Sequence, residues 1–271
     1  MLPVLDLSEA HTHPDGFRVA LREAAHTFGF FYLTGHGVSD TQIAEVLTSA
    51  REFFALPVDV KNRISQLQSP QFRGYSRLGG ELTNGQVDWR EQIDIGPERA
   101  TVPDAEGYWR LQGPNLWPEQ PTGFRAAFED WDRSLSAVGL RLLRLWAESL
   151  GAAADLFDEA FAGLPATLIK VVRYPGGAAS DQGVGAHKDS GVLTLLLVEP
   201  DSTGLQVEAG ADEWIDAPPL EGAAIGGPFT LVNGDLRVSL ERRAGALNLP
   251  LVPALDAVTD ALSRMLGQEA K

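Results

Sequence analysis

The chain contains no cysteine, so disulfides, thiolate metal sites and thiol nucleophiles are all excluded. Histidine is scarce as well. Among 271 residues there are five: His11, His13, His26, His36 and His187. Any imidazole-based site must draw on these. Long hydrophobic runs are missing too, and none approaches the roughly 20 residues that a membrane span needs. The opening stretch, Met1-Leu2-Pro3-Val4-Leu5-Asp6, has neither the basic start nor the apolar length of a signal peptide. A cytoplasmic protein is the expectation. Positive charge is outnumbered, with 22 Lys and Arg against 37 Asp and Glu, a formal net charge of -15. So acidic a surface repels a phosphate backbone, which argues against nucleic acid as a partner.

What is present suffices for a core. Hydrophobic residues make up 44% of the chain, and its length allows one large domain or two small ones. No internal repeat or low-complexity tract interrupts it. Leu2 to Leu7 reads as a short strand. Asp15 to Phe28 reads as a helix with Phe17, Leu21, Ala24 and Phe28 on one face, stopped by Gly29. Phe30 to Thr34 is β-type and is closed by Gly35-His36-Gly37. Ser39 with Gln42 forms a capping-box start for a helix that turns Ile43, Val46, Leu47, Ala50 and Phe54 inward. A further short helix is expected over 58–67. Residues 69–118 are rich in Gly, Pro and aromatics, and promise only short strands.

The strongest helical periodicity runs from Gly123 to Leu150. Phe124, Phe128, Trp131, Leu135, Val138, Leu142 and Leu145 step by four and three, and Gly151 is a natural residue to end it. Beyond Leu164-Pro165 the pattern turns to strands: Leu168 to Tyr174, Val192 to Glu199, Leu205 to Val207, and Trp214 to Ile215. Helices first and an antiparallel β-unit after them indicate an α+β domain with a sandwich or barrel core backed by helices.

The sharpest local signal is Gly185-Ala186-His187-Lys188-Asp189-Ser190-Gly191, followed by the apolar run Val192 to Leu197. On an extended chain side chains alternate with period two, so a His-x-Asp pair points to one side. His187 and Asp189 can then bind a single metal ion, as two members of a 2-His-1-carboxylate iron site do. The same three residues also suit a turn between strands with a solvated Asp.

Other segments narrow the choice. Leu2 to Leu7, Gly29-Phe30-Phe31-Tyr32-Leu33-Thr34-Gly35-His36-Gly37-Val38, and Phe53-Phe54-Ala55-Leu56-Pro57 with Lys61 come first. Arg73-Gly74-Tyr75, Asp88-Trp89-Arg90-Glu91 and Arg173-Tyr174-Pro175 follow in order. On these motifs the chain resembles the isopenicillin-N-synthase-like branch of the iron(II)- and 2-oxoglutarate-dependent oxygenases, over about residues 1–220. The resemblance implies one oxygenase domain over 1–271, with an N-terminal region over 1–118 and the Fe/2-oxoglutarate region over 165–258. It implies a distorted double-stranded β-helix, a jelly roll, with helices outside, including the long one near 123–150. It implies Fe(II) held by His187, Asp189 and a distal ligand, 2-oxoglutarate as co-substrate, and O2 with a small organic molecule as reactants. Tyr174 falls where the family places a tyrosine on the co-substrate carboxylate, although an aromatic of a core strand fits equally. Arg90 and Gln92 fall where the family faces substrate, or serve the structure.

The resemblance breaks near the C-terminus. No histidine follows Asp189. The family pattern Asn-Gly-x-Leu-Arg-x-Thr-x-His-Arg meets Asn233 to Arg242 here, with Glu241 in the histidine place. Glu241 is the candidate third ligand, or a surface residue beside Arg242 and Arg243. Ala246 and Asn248 stand where the family has the Arg and Ser that hold the far carboxylate of 2-oxoglutarate. A His-Asp-Glu site around Fe(II) is formally neutral, whereas a His-His-Asp site carries one positive charge. Weakened attraction for a dianion is expected. A catalytically degenerate relative that binds a small molecule or a partner therefore remains the alternative.

The remaining candidates are weaker. His11-Thr12-His13 has the look of an amidohydrolase start, but too few further histidines exist to complete such a barrel site. A solvated loop is expected there. His26 suits a helix surface and His36 the family turn. No Gly-x-Ser-x-Gly elbow, P-loop or Gly-x-Gly-x-x-Gly occurs, and Gly176-Gly177 and Gly226-Gly227 read as turns. Oligomeric state is open.

Overall fold

The computed structural model describes residues 1–104, 107–163, 165–176, 183–187, 189, 192–208 and 214–227. In chain order its helices are α1 (Glu9–Thr12), α2 (Pro14–Thr27), α3 (Asp40–Ala55), α4 (Val58–Lys61), α5 (Phe124–Ser149) and α6 (Asp158–Phe161). Its strands are β1 (Val4–Asp6), β2 (Phe31–Thr34), β3 (Gly74–Ser76), β4 (Leu82–Thr83), β5 (Gln86–Val87), β6 (Glu91–Ile95), β7 (Ile169–Arg173), β8 (Leu195–Leu196), β9 (Gln206–Glu208), β10 (Trp214–Asp216) and β11 (Ala224–Gly226).

The helices follow from local chemistry. Pro14 sits in the first turn of α2, where its missing N–H costs nothing. Phe17, Leu21, Ala24 and Ala25 form the buried face of α2. Gly29 then takes a positive φ of 73°, the left-handed step that ends a helix. Ser39 Oγ accepts the Gln42 backbone N–H at 3.2 Å and caps α3. Helix α5 spans two core clusters. Its first turns bury Phe124 and Phe128, which stack at 4.5 Å between ring centroids, with Phe124 also 5.3 Å from Phe53. Its last turns bury Leu142, Leu143, Trp146 and Ala147 against α2 and β2. Each fully buried side chain of this size contributes roughly 1.5–3 kcal/mol, so α5 is the main beam of the fold.

A four-stranded sheet runs in the order β1-β2-β11-β8. Strand β1 lies parallel to β2, with Val4 opposite Tyr32. Helices α1 and α2 supply the crossover that a parallel pair requires. Strand β11 joins the other side of β2 antiparallel, with Ile225 opposite Tyr32. The β-type run at 31–34 thus pairs with chain almost 200 positions later. A second sheet has the order β3-β6-β7, and β9-β10 and β4-β5 are separate two-stranded pairs.

Two local expectations change. His11 lies on the short helix α1 rather than in a loop, although it is exposed. The helix expected over 58–67 stops at Lys61 and continues as short 3-10 turns. Its end is pinned because Lys61 Nζ turns inward to the Phe54 carbonyl at 3.0 Å. Glu241, Ala246, Asn248 and the rest of 228–271 lie outside the described residues.

Candidate metal centre

The structure brings His187 and Asp189 together. Nε2 of His187 lies 3.6 Å from Oδ1 of Asp189, and both side chains are exposed. Nδ1 of His187 lies 2.8 Å from the Gly185 carbonyl oxygen. A carbonyl can only accept, so Nδ1 carries the proton, which leaves Nε2, the nitrogen on the carboxylate side, as the metal-binding position. Metal-bound histidines are commonly fixed by such an outer hydrogen bond. Ligand bonds to imidazole nitrogen and carboxylate oxygen run to about 2 Å each, so one cation can touch both atoms. The donor set of one imidazole and one carboxylate suits Fe(II). Among the described residues no group of three or more His, Asp or Glu converges to hold a metal. A third protein ligand would therefore come from elsewhere, and Glu241 lies outside the described residues.

The loop that carries the pair rests on the segment 81–94. Trp89 N–H donates to the Gly183 carbonyl at 2.8 Å. Asn84 Nδ2 donates to the Ala186 carbonyl at 3.0 Å. Tyr174 follows β7 and is about half exposed. Its ring leaves no room for a side chain at Gly183, whose added Cβ would meet the ring at 2.6 Å. The Tyr174 hydroxyl also pairs with Arg90. Burial alone would lower the Arg90 guanidinium, but Tyr174, Asp88 and Glu81 outweigh it and hold it above its usual value.

Behind Tyr174 lies a polar wall. Arg90 bridges Asp88 Oδ2 at 3.1 Å and Glu81 Oε2 at 3.2 Å. Gln92 donates to Glu81 Oε1 at 2.9 Å and to both oxygens of Asp94 at 3.1 Å. Asp94 also receives Lys170 Nζ and Gln66 Nε2. Burial pushes the Asp94 carboxyl above its ordinary value, and Lys170 only partly offsets this. Arg90 is thus an ion-paired member of the wall and Gln92 is almost wholly buried within it. Sequence reasoning missed Glu81, Asp88, Asp94 and Lys170. The alternation Gln92-Ile93-Asp94-Ile95 was a signal that β6 turns a polar face one way and an apolar face the other.

The other histidines do not join the site. His11, His13 and His26 are exposed. His36 Nδ1 accepts the Val38 N–H at 3.1 Å, and the ring also bonds the Gly222 backbone. Burial lowers its pKa, with Gly222 and Asp40 opposing. His36 is a neutral fastener between the 35–37 turn and the turn before β11. The preceding Gly35 has a positive φ of 59°, which favours glycine, and an added Cβ would displace the Asp6 carboxylate.

Comparison with known proteins identifies the family of the fold. Residues 2–120 match the model of the non-haem dioxygenase in morphine synthesis N-terminal family, and residues 166–236 match that of the 2OG-Fe(II) oxygenase superfamily. The 2-oxoglutarate-dependent dioxygenase frbJ of Dothideomycetidae sp. (strain 11243) is 39% identical over 233 residues, which are 83% of this chain and 63% of that protein. A homoarginine-6-hydroxylase of Arabidopsis thaliana is 33% identical, with 83% of this chain and 73% of that protein covered. Among solved structures, JOX2 in complex with 2OG, Fe and JA aligns with a TM-score of 0.69 at 29% identity, covering 83% of this chain and 64% of that one. A full-length Neurospora crassa protein in complex with alpha-KG aligns with a TM-score of 0.72 at 25% identity, covering 85% and 74%. This chain spans less than two thirds of the length of the fungal dioxygenase it matches at 39% identity. With both halves of the described fold matched and the His187–Asp189 pair in place, the chain belongs to the 2OG-Fe(II) oxygenase superfamily.

Proposed function

We propose that the chain is an Fe(II)- and 2-oxoglutarate-dependent oxygenase that oxidises a small organic molecule. The observation that carries this reading is the His187–Asp189 pair, 3.6 Å apart, with the imidazole tautomer set by Gly185. Relatives named as 2-oxoglutarate-dependent dioxygenases and a homoarginine hydroxylase support it. When bound, the metal and co-substrate supply an O2-dependent oxidation that releases succinate and CO2.

The residues of this chain would bind, orient and shield. His187 and Asp189 hold the cation. Tyr174 offers its hydroxyl, backed by Arg90, to a carboxylate oxygen of the co-substrate. Arg90, with Gln92 buried behind it, forms part of the wall against which the substrate lies. Glu241 is the proposed third ligand. The segment from 165 onward, with β8 and β11 joined to the N-terminal sheet, belongs in this reading to a double-stranded β-helix.

The altered C-terminal segment favours a second reading, a degenerate member that binds a small molecule without turnover. A neutral His-Asp-Glu site lacking the usual Arg attracts 2-oxoglutarate weakly. Succinate release with Fe(II), ascorbate and 2-oxoglutarate separates the two readings. Turnover lost in His187→Ala, by more than the roughly 100-fold that an outer-sphere partner accounts for, supports the oxygenase. No succinate from any preparation that binds Fe(II) supports the degenerate member.

A further inference from the structure

Strands β4 and β5 are joined by Asn84-Gly85 alone, since Thr83 lies opposite Gln86. Both corner residues have positive φ, 51° for Asn84 and 80° for Gly85. That is the two-residue hairpin turn that an Asn-Gly pair favours. A free turn of this kind would extend its asparagine into solvent. Here the side chain, exposed as it is, reaches 102 positions along the chain, and Nδ2 donates to the Ala186 carbonyl at 3.0 Å. Ala186 immediately precedes His187.

The contacts around that bond are concentrated on one loop. Thr83 packs against Gly185, where its Cγ2 would lie 3.2 Å from any added Cβ. Trp89, just past the hairpin, donates its N–H to the Gly183 carbonyl at 2.8 Å. The carbonyls of Gly183, Gly185 and Ala186 thus accept from Trp89, His187 and Asn84 respectively. Two of these three donors come from the hairpin and from Trp89 just beyond it. The loop has no ladder of its own over 183–187. With the Asn84 amide removed, the peptide between Ala186 and His187 loses this anchor from outside the loop and is freer to rotate. The imbalance would pass to the imidazole, because the Nδ1 bond to Gly185 spans the same peptide.

We propose that the Asn84-Gly85 hairpin is a clasp for the His187-x-Asp189 loop, and that Asn84 is a positioning residue for metal binding. The proposal rests on His187 and Asp189 being metal ligands. Asn84→Gly isolates the effect, because glycine adopts the same positive φ without strain and keeps the hairpin while deleting the amide. Asn84→Asp also tolerates that φ but cannot donate to a carbonyl.

The probe is Co(II), titrated anaerobically into the metal-free protein and followed by its visible absorption. Wild type, Asn84→Gly, Asn84→Asp and His187→Ala are compared, together with the melting temperature of each metal-free protein. The expected result is binding that His187→Ala abolishes and that both Asn84 variants weaken by about tenfold, with melting temperatures close to wild type. Affinities within about twofold of wild type in Asn84→Gly, beside a lost signal in His187→Ala, would overturn the clasp and leave the metal centre intact. Binding that does not depend on His187 would overturn both.

Discussion

Strand β6 separates two groups of buried charge that share a backbone and little else. On one face Glu91 meets Lys61 at 2.7 Å, Tyr75 at 2.6 Å and Arg173 at 2.8 Å. Burial alone would raise the Glu91 carboxyl, yet these three donors hold it below its ordinary value. On the other face Gln92 Oε1 and Asp88 Oδ1 are buried without a hydrogen-bond partner, and Asp94 is held above its ordinary value by burial. Polar groups sealed in a structural cluster are satisfied. Around β6, those left incomplete, Gln92 Oε1, Asp88 Oδ1 and Arg90 Nε, occur on the side that adjoins Tyr174 and the candidate metal loop. Around β6, satisfaction of buried polar atoms distinguishes the face that ties the strand to Lys61 and Arg173 from the face that turns toward the candidate metal loop.

Breaking the sealed face should have the largest effect. Lys61→Met leaves Glu91 buried with its ammonium partner gone, and a loss of about 3–5 kcal/mol is expected in urea unfolding. Tyr75→Phe removes one neutral donor to the same carboxylate, and about 1.5–3 kcal/mol is expected. Asp94→Asn on the open face should change stability at pH 7 by less than about 1 kcal/mol, because half-exposed Lys170 is well screened. An Asp94→Asn loss as large as that of Lys61→Met would erase the contrast between the faces.

The two faces should also differ in sign with pH. Glu91 has a depressed folded pKa, so its contribution is present above the unfolded value of 4.5 and is lost as pH falls toward the folded value. Asp94 has a raised folded pKa, so its contribution is present below 3.8 and is lost as pH rises through the folded value. Unfolding free energies measured from pH 3 to 7 should accordingly fall less steeply on the acid side in Glu91→Gln. They should decline less with rising pH in Asp94→Asn.

The legible parts of this molecule are those whose causes are local. The stepping of Phe124, Phe128, Val138 and Leu142 marks α5, Ser39 and Gln42 mark the start of α3, and the period-two spacing of His187 and Asp189 marks two side chains that meet. The periodicity was less informative about depth: Leu143 and Trp146 are buried, while Trp131 and Leu135 are only partly so. The polar wall was not legible, because a sequence such as Glu-Gln-Ile-Asp-Ile suits a half-solvated strand. Its five positions are all buried here because Lys61, Arg173 and Lys170, distant in sequence, arrive to pair with it. Asn84-Gly85 advertised a hairpin, but nothing near it named Ala186 as the carbonyl it would meet.

The placement of β11 beside β2 has a consequence for synthesis. Phe31 to Thr34 leave the ribosome early, yet one edge of that strand stays without its antiparallel neighbour until Ala224–Gly226 have been made. At typical elongation rates of 5–20 residues per second this is an interval of about 10–40 s. Throughout it the nascent chain displays an apolar strand with open backbone donors and acceptors, the kind of edge on which chaperones and stray strands compete.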